Sequence, residues 1–335
     1  MDTKYGDISR DTAGFWTGKL LERGQHGMVT ERFGSIDPQG QNKSDTRKWT
    51  RYHSLPRAVA PLAEGIAPGG QRLTKEVVTA TLDQYGDLVW ITDKVADLHE
   101  DPVMDEATKL IGEQSAETIE AIRISYLKGG SNVTYANGVA SRSLVTSCVL
   151  QNDLRRIHRA MKKNKAREIS EIIPATAMVS TEPVAASYFA MGSTDLLSDL
   201  KNLDGWNPLE NYSQVTKGLD HEYGKCEEFR FILTPMFEPW EAAGVAGTTY
   251  LSSGAKVSDN TACDVYPIII VARDSYAIVP LQGKKAVKIS VQNPGKISVD
   301  NPLGQKGFVS WMTWQGGAIL NHLWVMRYEV AATAL

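Results

Sequence analysis

The chain has 335 residues, 42% apolar and 22% charged, with a formal net charge of −3. Those values belong to an ordinary globular protein large enough to bury a substantial core as one or two domains. They exclude a strongly basic nucleic-acid binder, and no uncharged apolar run approaches the roughly 20 residues of a membrane helix. Asp2, Lys4, Asp7, Arg10 and Asp11 leave no room for an apolar signal segment, so the chain reads as a cytosolic product. Three widely spaced cysteines, Cys148, Cys226 and Cys263, read as buried free thiols rather than as a disulfide or metal set.

Residues 1–46 carry scattered glycines and no sustained period, apart from a short helical piece around Phe15–Arg23. The expectation is an arm lying over a neighbouring molecule. The first 60 residues hold ten Lys/Arg against seven Asp/Glu, a mildly basic start on an acidic body. From Lys48 the chain alternates as an extended strand. Pro56, Pro61, Gly65, Pro68, Gly69 and Gly70 then forbid regular structure and mark a loop. Val78, Ala80 and Leu82 face one way on a returning strand, which continues through Leu88–Thr92 past a kink at Tyr85–Gly86. The two strands pair as a long hairpin, which is marginal in water and must lie on something. Its apolar residues Val59, Leu62, Ile66 and Leu73 are the expected intersubunit contacts.

Asp101–Pro102 pairs an N-cap with a first-position proline, and Lys128–Gly129–Gly130 supplies a cation and a glycine cap, so a helix is predicted over 102–128. Gln114 and Thr118 interrupt its apolar stripe. Further on, a helix is expected at Leu150–Lys163, a short strand at Ala177–Ser180, a helix starting at Pro183–Ala190 and a loop over Ser198–Glu210. Strands follow at Phe229–Leu233, Pro267–Val271, Ala286–Val291 and Phe308–Trp314, with one long final strand from Ala318 to Ala331.

Chemistry-bearing motifs are weak. Gly65–Gly70 has the glycine spacing of a phosphate loop, but Gln71 and Arg72 stand where Lys and Ser/Thr are needed. Ser198 with Lys201 and His221–Glu222 with Cys226 are the nearest approaches to a hydrolase or metal half-site. Arg155, Arg156, Arg159, Lys162, Lys163, Lys165 and Arg167 give one helix a basic outer face over an apolar side of Leu154, Ile157 and Met161. Two readings compete for it: a solvated face, or a weak, sequence-independent DNA-facing surface built on Arg155, Arg156, Arg159, Lys162 and Lys163.

Several motifs, in order, resemble a known family. They are Lys48-Trp49-Thr50-Arg51-Tyr52, Pro61-Leu62-Ala63-Glu64-Gly65, Gln84-Tyr85-Gly86-Asp87, Asp93-Lys94 and Asp97-Leu98-His99-Glu100-Asp101-Pro102. Downstream come Glu228 to Pro235, Tyr266-Pro267, Ala277-Ile278-Val279, and Asn301 to Gly307 followed by Trp314. From about residue 45 onward the chain resembles the phage coat family typified by the major capsid protein of coliphage N-four. That resemblance implies the α+β, Hong-Kong-97-like fold of tailed-phage shells. Mapped here it gives an N-terminal arm (1–46), an extended E-loop (47–92), a peripheral domain (93–145) with a spine helix at 102–128, an axial domain (146–280), and C-terminal strands (281–335) returning to the peripheral domain.

The function so implied is structural and non-enzymatic, without a cofactor or metal: a coat protein assembling into an icosahedral head. Its partners would be copies of itself in hexamers and pentamers, packaged double-stranded DNA, and portal, scaffolding and decoration proteins. Assembly would take place in the host bacterial cytoplasm. Rival readings are an encapsulin-like nanocompartment shell, a hydrolase without a recognisable motif, and a duplex-binding accessory protein.

Overall fold

A computed structural model of the chain describes residues 28–59, 61, 69–98, 103–172, 182–211, 219–246, 261–282, 287–297 and 301–334. The Phe15–Arg23 and Ala177–Ser180 expectations, the Asp101–Pro102 cap, Leu62 and Ile66 lie outside the described residues.

The first described segment corrects an expectation. Residues 28–46 were read as part of an arm lying over a neighbouring molecule, yet Val29 and Phe33 are 2% and 5% exposed, and Phe33 stacks on Phe189 with ring centroids 4.5 Å apart. Strand β1 (Ser35–Ile36) runs parallel to a later strand, Tyr276–Ile278. This stretch is held on its own subunit, because Val29 and Phe33 pack into the core around Phe189 and β1 pairs with a strand of the same chain.

Strands β2 (Thr46–Tyr52) and β3 (Lys75–Thr81) pair antiparallel, with Thr46 opposite Thr81 and Tyr52 opposite Lys75. The expected hairpin is therefore present. The expected continuation is not: the chain leaves this ribbon at Leu82, whose N–H donates to the Asp45 carbonyl, and β4 (Asp83–Thr92) joins another sheet. Gly86 is no kink. It lies inside β4, where a Cβ would sit 2.5 Å from the Trp311 carbonyl oxygen, so glycine permits close approach of two backbones.

A short helix α1 (Asp93–Leu98) precedes α2 (Val103–Lys128), the 26-residue helix, about 39 Å long at 1.5 Å per residue. It stops at Gly129–Gly130, but by ordinary turns rather than by a left-handed cap, since neither glycine has positive φ. The first half of α2 packs Val103, Ala107 and Ile111 against Ile91 of β4 and against Val309 and Trp311 of a later strand. Its second half packs Ile124 and Leu127 into a different core. Gln114, which breaks the apolar stripe, clasps the two layers: it accepts from Trp311 Nε1 at 3.0 Å and donates to Asp87 at 2.7 Å.

After β5 (Val133–Tyr135) come α3 (Gln151–Lys163), β6 (Ile169–Ile172) and β7 (Glu182–Gly192). The predicted helix start at Pro183–Ala190 is thus a strand. Burial decides it: Tyr188 and Ala190 face one core while Phe189 and Met191 face the other, a period of two with both faces apolar. The predicted loop at 198–210 contains the short helix α4 (Leu197–Lys201) and β8 (Asn207–Pro208).

The chain then forms β9 (Glu222–Cys226), β10 (Phe229–Leu233), β11 (Tyr266–Val271), β12 (Tyr276–Ile278), β13 (Lys288–Gln292) and β14 (Lys306–Gln315). The predicted single final strand is two. β15 (Gly317–Ile319) pairs with β12. A turn at His322–Trp324, capped by the Asn321 side chain accepting from Leu323 N–H, then redirects the chain into β16 (Val325–Val330).

An eight-stranded mixed sheet, ordered β5-β16-β11-β7-β10-β9-β8 with β6 on β7, forms the centre. Tyr266, Ile268, Ile270, Phe229 and Phe231 point to the face covered by α3. Ile269, Val271 and Ile232 point to the face covered by the end of α2 and by residues 29–33. A three-stranded sheet, β13-β14-β4, lies under the first half of α2. The long helix therefore bridges two cores.

Candidate assembly surfaces

The hairpin leaves the body through a polar clasp. Asp37 accepts from Arg47 Nη2 at 2.6 Å and Nε at 3.1 Å, and from Trp49 Nε1 at 2.8 Å. Ala80 and Leu82 bury themselves against Val279, with Trp49, Trp314 and Ala318 beside them. Beyond that base no hydrophobic cluster of the described residues lies beneath the ribbon, and a cross-strand Arg51–Glu76 ion pair at 2.5 Å ties its strands. On the strands exposure alternates by face: Trp49, Val78 and Ala80 lie on the side turned to the body, while Val77 at 49% and Tyr52 at 62% lie on the other. Past the strands Leu73 is 64% and Val59 85% exposed. A single exposed apolar residue is unremarkable, but several together on and beyond a two-stranded ribbon form a surface awaiting a cover. Val59 and Leu73, expected as contacts, are among them.

The N-terminal anchor was not legible in the sequence. Glu120, in mid-helix and 1% exposed, accepts from Val29 N–H at 3.1 Å, Thr30 N–H at 3.0 Å and Thr30 Oγ1 at 2.7 Å. Arg123 adds a pair to Glu31 at 3.0 Å. Burial pushes the Glu120 carboxyl above its ordinary range, against the lowering effect of those hydrogen bonds and of Arg123. A glutamate and an arginine at 120 and 123 stand among Ile119, Ile124 and Leu127 on the buried face of α2, and that break in the pattern was the available signal.

The basic helix α3 is amphipathic as expected, with Leu154, Ile157 and Met161 buried. Three of its five named cations are engaged within the subunit: Arg155 with Glu227 at 2.9 Å, Arg156 with Asp153 at 3.0 Å, and Lys162 with Glu168. Arg159 and Lys163 are exposed, and neither makes an ion pair among the described residues.

The half-sites do not assemble. Glu222 is held by Arg230 at 2.5–2.6 Å and by Leu219 N–H, with both partners of the ion pair buried. Ser198 Oγ is buried and has no hydrogen-bond partner among the described residues, whereas Lys201 on the same short helix is exposed. Among the described residues, no three His, Cys, Asp or Glu side chains cluster as a metal site. Cys226 and Cys263 are buried free thiols, as expected, and Cys148 is half-buried and free.

Helix α2 joining two cores, a projecting hairpin before it and a central mixed sheet define a coat-protein fold, the Hong-Kong-97-like fold of phage shells. The chain superposes on the capsid protein of Ralstonia phage GP4 with a TM-score of 0.63 at 10% identity, covering 100% of this chain and 96% of that one. It superposes on that of cyanophage Pam1 with a TM-score of 0.63 at 12% identity, covering 99% and 97%. A sequence relative, the major capsid protein of Pseudomonas phage KPP21, is 23% identical over 266 residues, spanning 75% of this chain and 66% of that protein. The phage capsid protein family matches residues 75–317, and the chain belongs to that family of structural coat proteins.

Proposed function

We infer that the chain is the major capsid protein of a tailed phage, self-assembling into the icosahedral head around double-stranded DNA. The observation that carries this reading is the hairpin, whose base is buried against the body while Tyr52, Val77, Leu73 and Val59 stay uncovered on an otherwise well-packed subunit. In a lattice each subunit covers a neighbour's ribbon and has its own covered. Fully burying one such side chain contributes about 1.5–3 kcal/mol, repeated at every subunit of a shell.

In this reading the part of the 47–92 E-loop that leaves the body is the β2–β3 ribbon, and α2 is the spine of a peripheral domain spanning 93–145. The axial domain is built on residues 146–280, and residues 281–335 return from it. Contacts through Val59, Leu62, Ile66 and Leu73 hold hexamers and pentamers together. DNA is enclosed without sequence specificity, the exposed cations of α3 contribute little, and assembly occurs in the host cytoplasm alongside portal and scaffolding components. Electron microscopy of the purified protein tests the reading directly. Closed shells are expected; a protein that stays monomeric under all assembly conditions overturns it.

A further inference from the structure

Beside the C-terminal end of α2 lies a cavity of about 500 Å³, away from both the hairpin and the basic face of α3. Three cations converge on one indole there. The Arg142 guanidinium stacks 3.6 Å from the Trp240 ring centroid, with Lys128 Nζ at 5.4 Å and the Arg327 guanidinium at 5.7 Å. Stacking of this kind fixes the planes of the guanidinium and the ring.

Glu329, fully buried, neutralises part of this charge. It accepts from Arg142 at 2.7 and 2.8 Å and pairs with Arg327 Nε at 2.8 Å. Arg327 also donates to the Lys128 carbonyl, and Lys128 Nζ donates to the Glu238 carbonyl at 2.8 Å. Arg142 thus spends Nε and Nη2 on Glu329, and Lys128 spends one of its three N–H groups. Against these three cations stand, among the described residues, the buried Glu329 carboxylate behind them and one exposed carboxylate on the cavity lining, Glu238. Burial pushes the Lys128 ammonium below its ordinary value, with Arg142 adding to the effect and Glu238 opposing it. A further anion would relieve that cost.

Apolar side chains line the same cavity: Ile124 and Ala121, one and two turns before Lys128 on α2, and Met236. An aliphatic stem ending in a carboxylate can use these side chains and the cations together. A backbone phosphate of DNA would use the cations and leave the apolar side chains without a partner.

We propose that this cavity receives an aspartate or glutamate side chain from a second copy of the chain, its carboxylate held by Lys128 and Arg142 and its stem lying on Ile124 and Met236. The inference rests on the coat-protein reading, since it needs neighbouring copies. It is a second, polar contact, separate from the hairpin.

The test joins the pair chemically. Shells are assembled from equal parts of isotopically light and heavy subunits and treated with a carbodiimide, which couples a touching ammonium and carboxylate as an amide and leaves as a urea. The expected product is a mixed light–heavy peptide joining Lys128 to an Asp or Glu, absent from unassembled subunits. In parallel, Lys128→Glu is expected to give severalfold fewer closed particles than Lys128→Met, with both subunits folded by circular dichroism. Coupling of Lys128 only to Glu238 of its own chain, formaldehyde capture of Lys128 on packaged DNA, or normal particle yield from Lys128→Glu each overturns the proposal. Failure of the unsubstituted chain to form particles at all would sink the coat-protein reading instead, and this inference with it.

Discussion

The eight-stranded sheet and the β2–β3 ribbon are both built from strands of alternating or continuous apolar residues, yet they solve the burial problem differently. In the sheet, β7, β10 and β11 are covered on both faces by α3, by α2 and by the 29–33 segment, all from the same chain. In the ribbon only the base is covered, and Tyr52, Val59, Leu73 and Val77 stay open to solvent. A two-stranded ribbon is marginal by itself, so this one is held at its base and left incomplete at its tip. Folding of the subunit is thereby separated from assembly of the shell. Damage to the sheet should be read in subunit stability, and damage to the ribbon in particle formation.

The largest expected effect falls on the ribbon. Removing residues 58–74 and joining the strands with a short Gly-Ser turn should leave the circular dichroism of the subunit ordinary while closed particles disappear on electron micrographs. In the proposed lattice each subunit loses this contact twice, once as donor and once as acceptor. Normal shells from the deletion variant would break the comparison, because the ribbon would then be an ornament.

The converse change is Phe231→Ala in β10, a fully buried side chain in the centre of the sheet. Large-to-small substitutions of this kind cost about 3–5 kcal/mol, and here the loss should appear in urea unfolding of the isolated subunit. A variant that unfolds normally yet fails to assemble would show that the sheet is not the independent core it is taken to be.

A smaller effect sharpens the boundary between the two regions at the N-terminal anchor. Glu120→Ala leaves the Val29 and Thr30 N–H groups without their acceptor, at a cost of about 1–3 kcal/mol, and should speed hydrogen exchange at residues 28–33. Glu120→Gln keeps an acceptor oxygen for both N–H groups and a donor for the Thr30 hydroxyl. The sign with pH follows from the raised carboxyl: the folded state holds its proton more tightly than the unfolded one, so the stability gained from protonation is lost as pH rises through the folded value. At neutral pH Glu120→Gln should be at least as stable as the unsubstituted chain, and the difference should vanish below the ordinary carboxylate range. A Gln variant as damaged as the Ala variant would mean that the negative charge itself holds the segment.

Much of this division was legible in the sequence, because glycine, proline and strict periodicity are local signals. The irregular residues 53–59 and 69–74, α2 up to Lys128 before Gly129, and the apolar runs of β10 and β11 all declare themselves within a few residues. Where the reading failed, non-local packing decided. Residues 183–190 look helical from Ala185, Ala186 and Ala190, but the sequence does not reveal that both faces will be covered. The 318–331 run reads as one strand because nothing in its apolarity announces the Asn321-capped turn. Sites such as Asp37 with Trp49, Glu120 with Thr30, and Arg142 with Trp240 join residues 12, 90 and 98 positions apart, and only the fold brings the last two pairs together.

The smallest expected effect concerns α3, which belongs to the packed region but carries the most concentrated charge. Replacing Arg156, Arg159 and Lys163 with Gln removes three positive charges from one exposed face. Only Arg156 has an ion-pair partner among the described residues, Asp153, which keeps hydrogen bonds from Asn137 N–H and Tyr328 Oη after the change. The pair is exposed only on its Arg156 side, Asp153 being buried, but that carboxylate stays satisfied by its two remaining hydrogen bonds, and the apolar side of Leu154, Ile157 and Met161 that holds the helix down is untouched. Subunit stability, particle yield and packaged DNA content should therefore all stay near those of the unsubstituted protein. Loss of capsomers would move α3 from the self-sufficient region to the assembling one. Intact shells with less DNA would show instead that this face lines the interior.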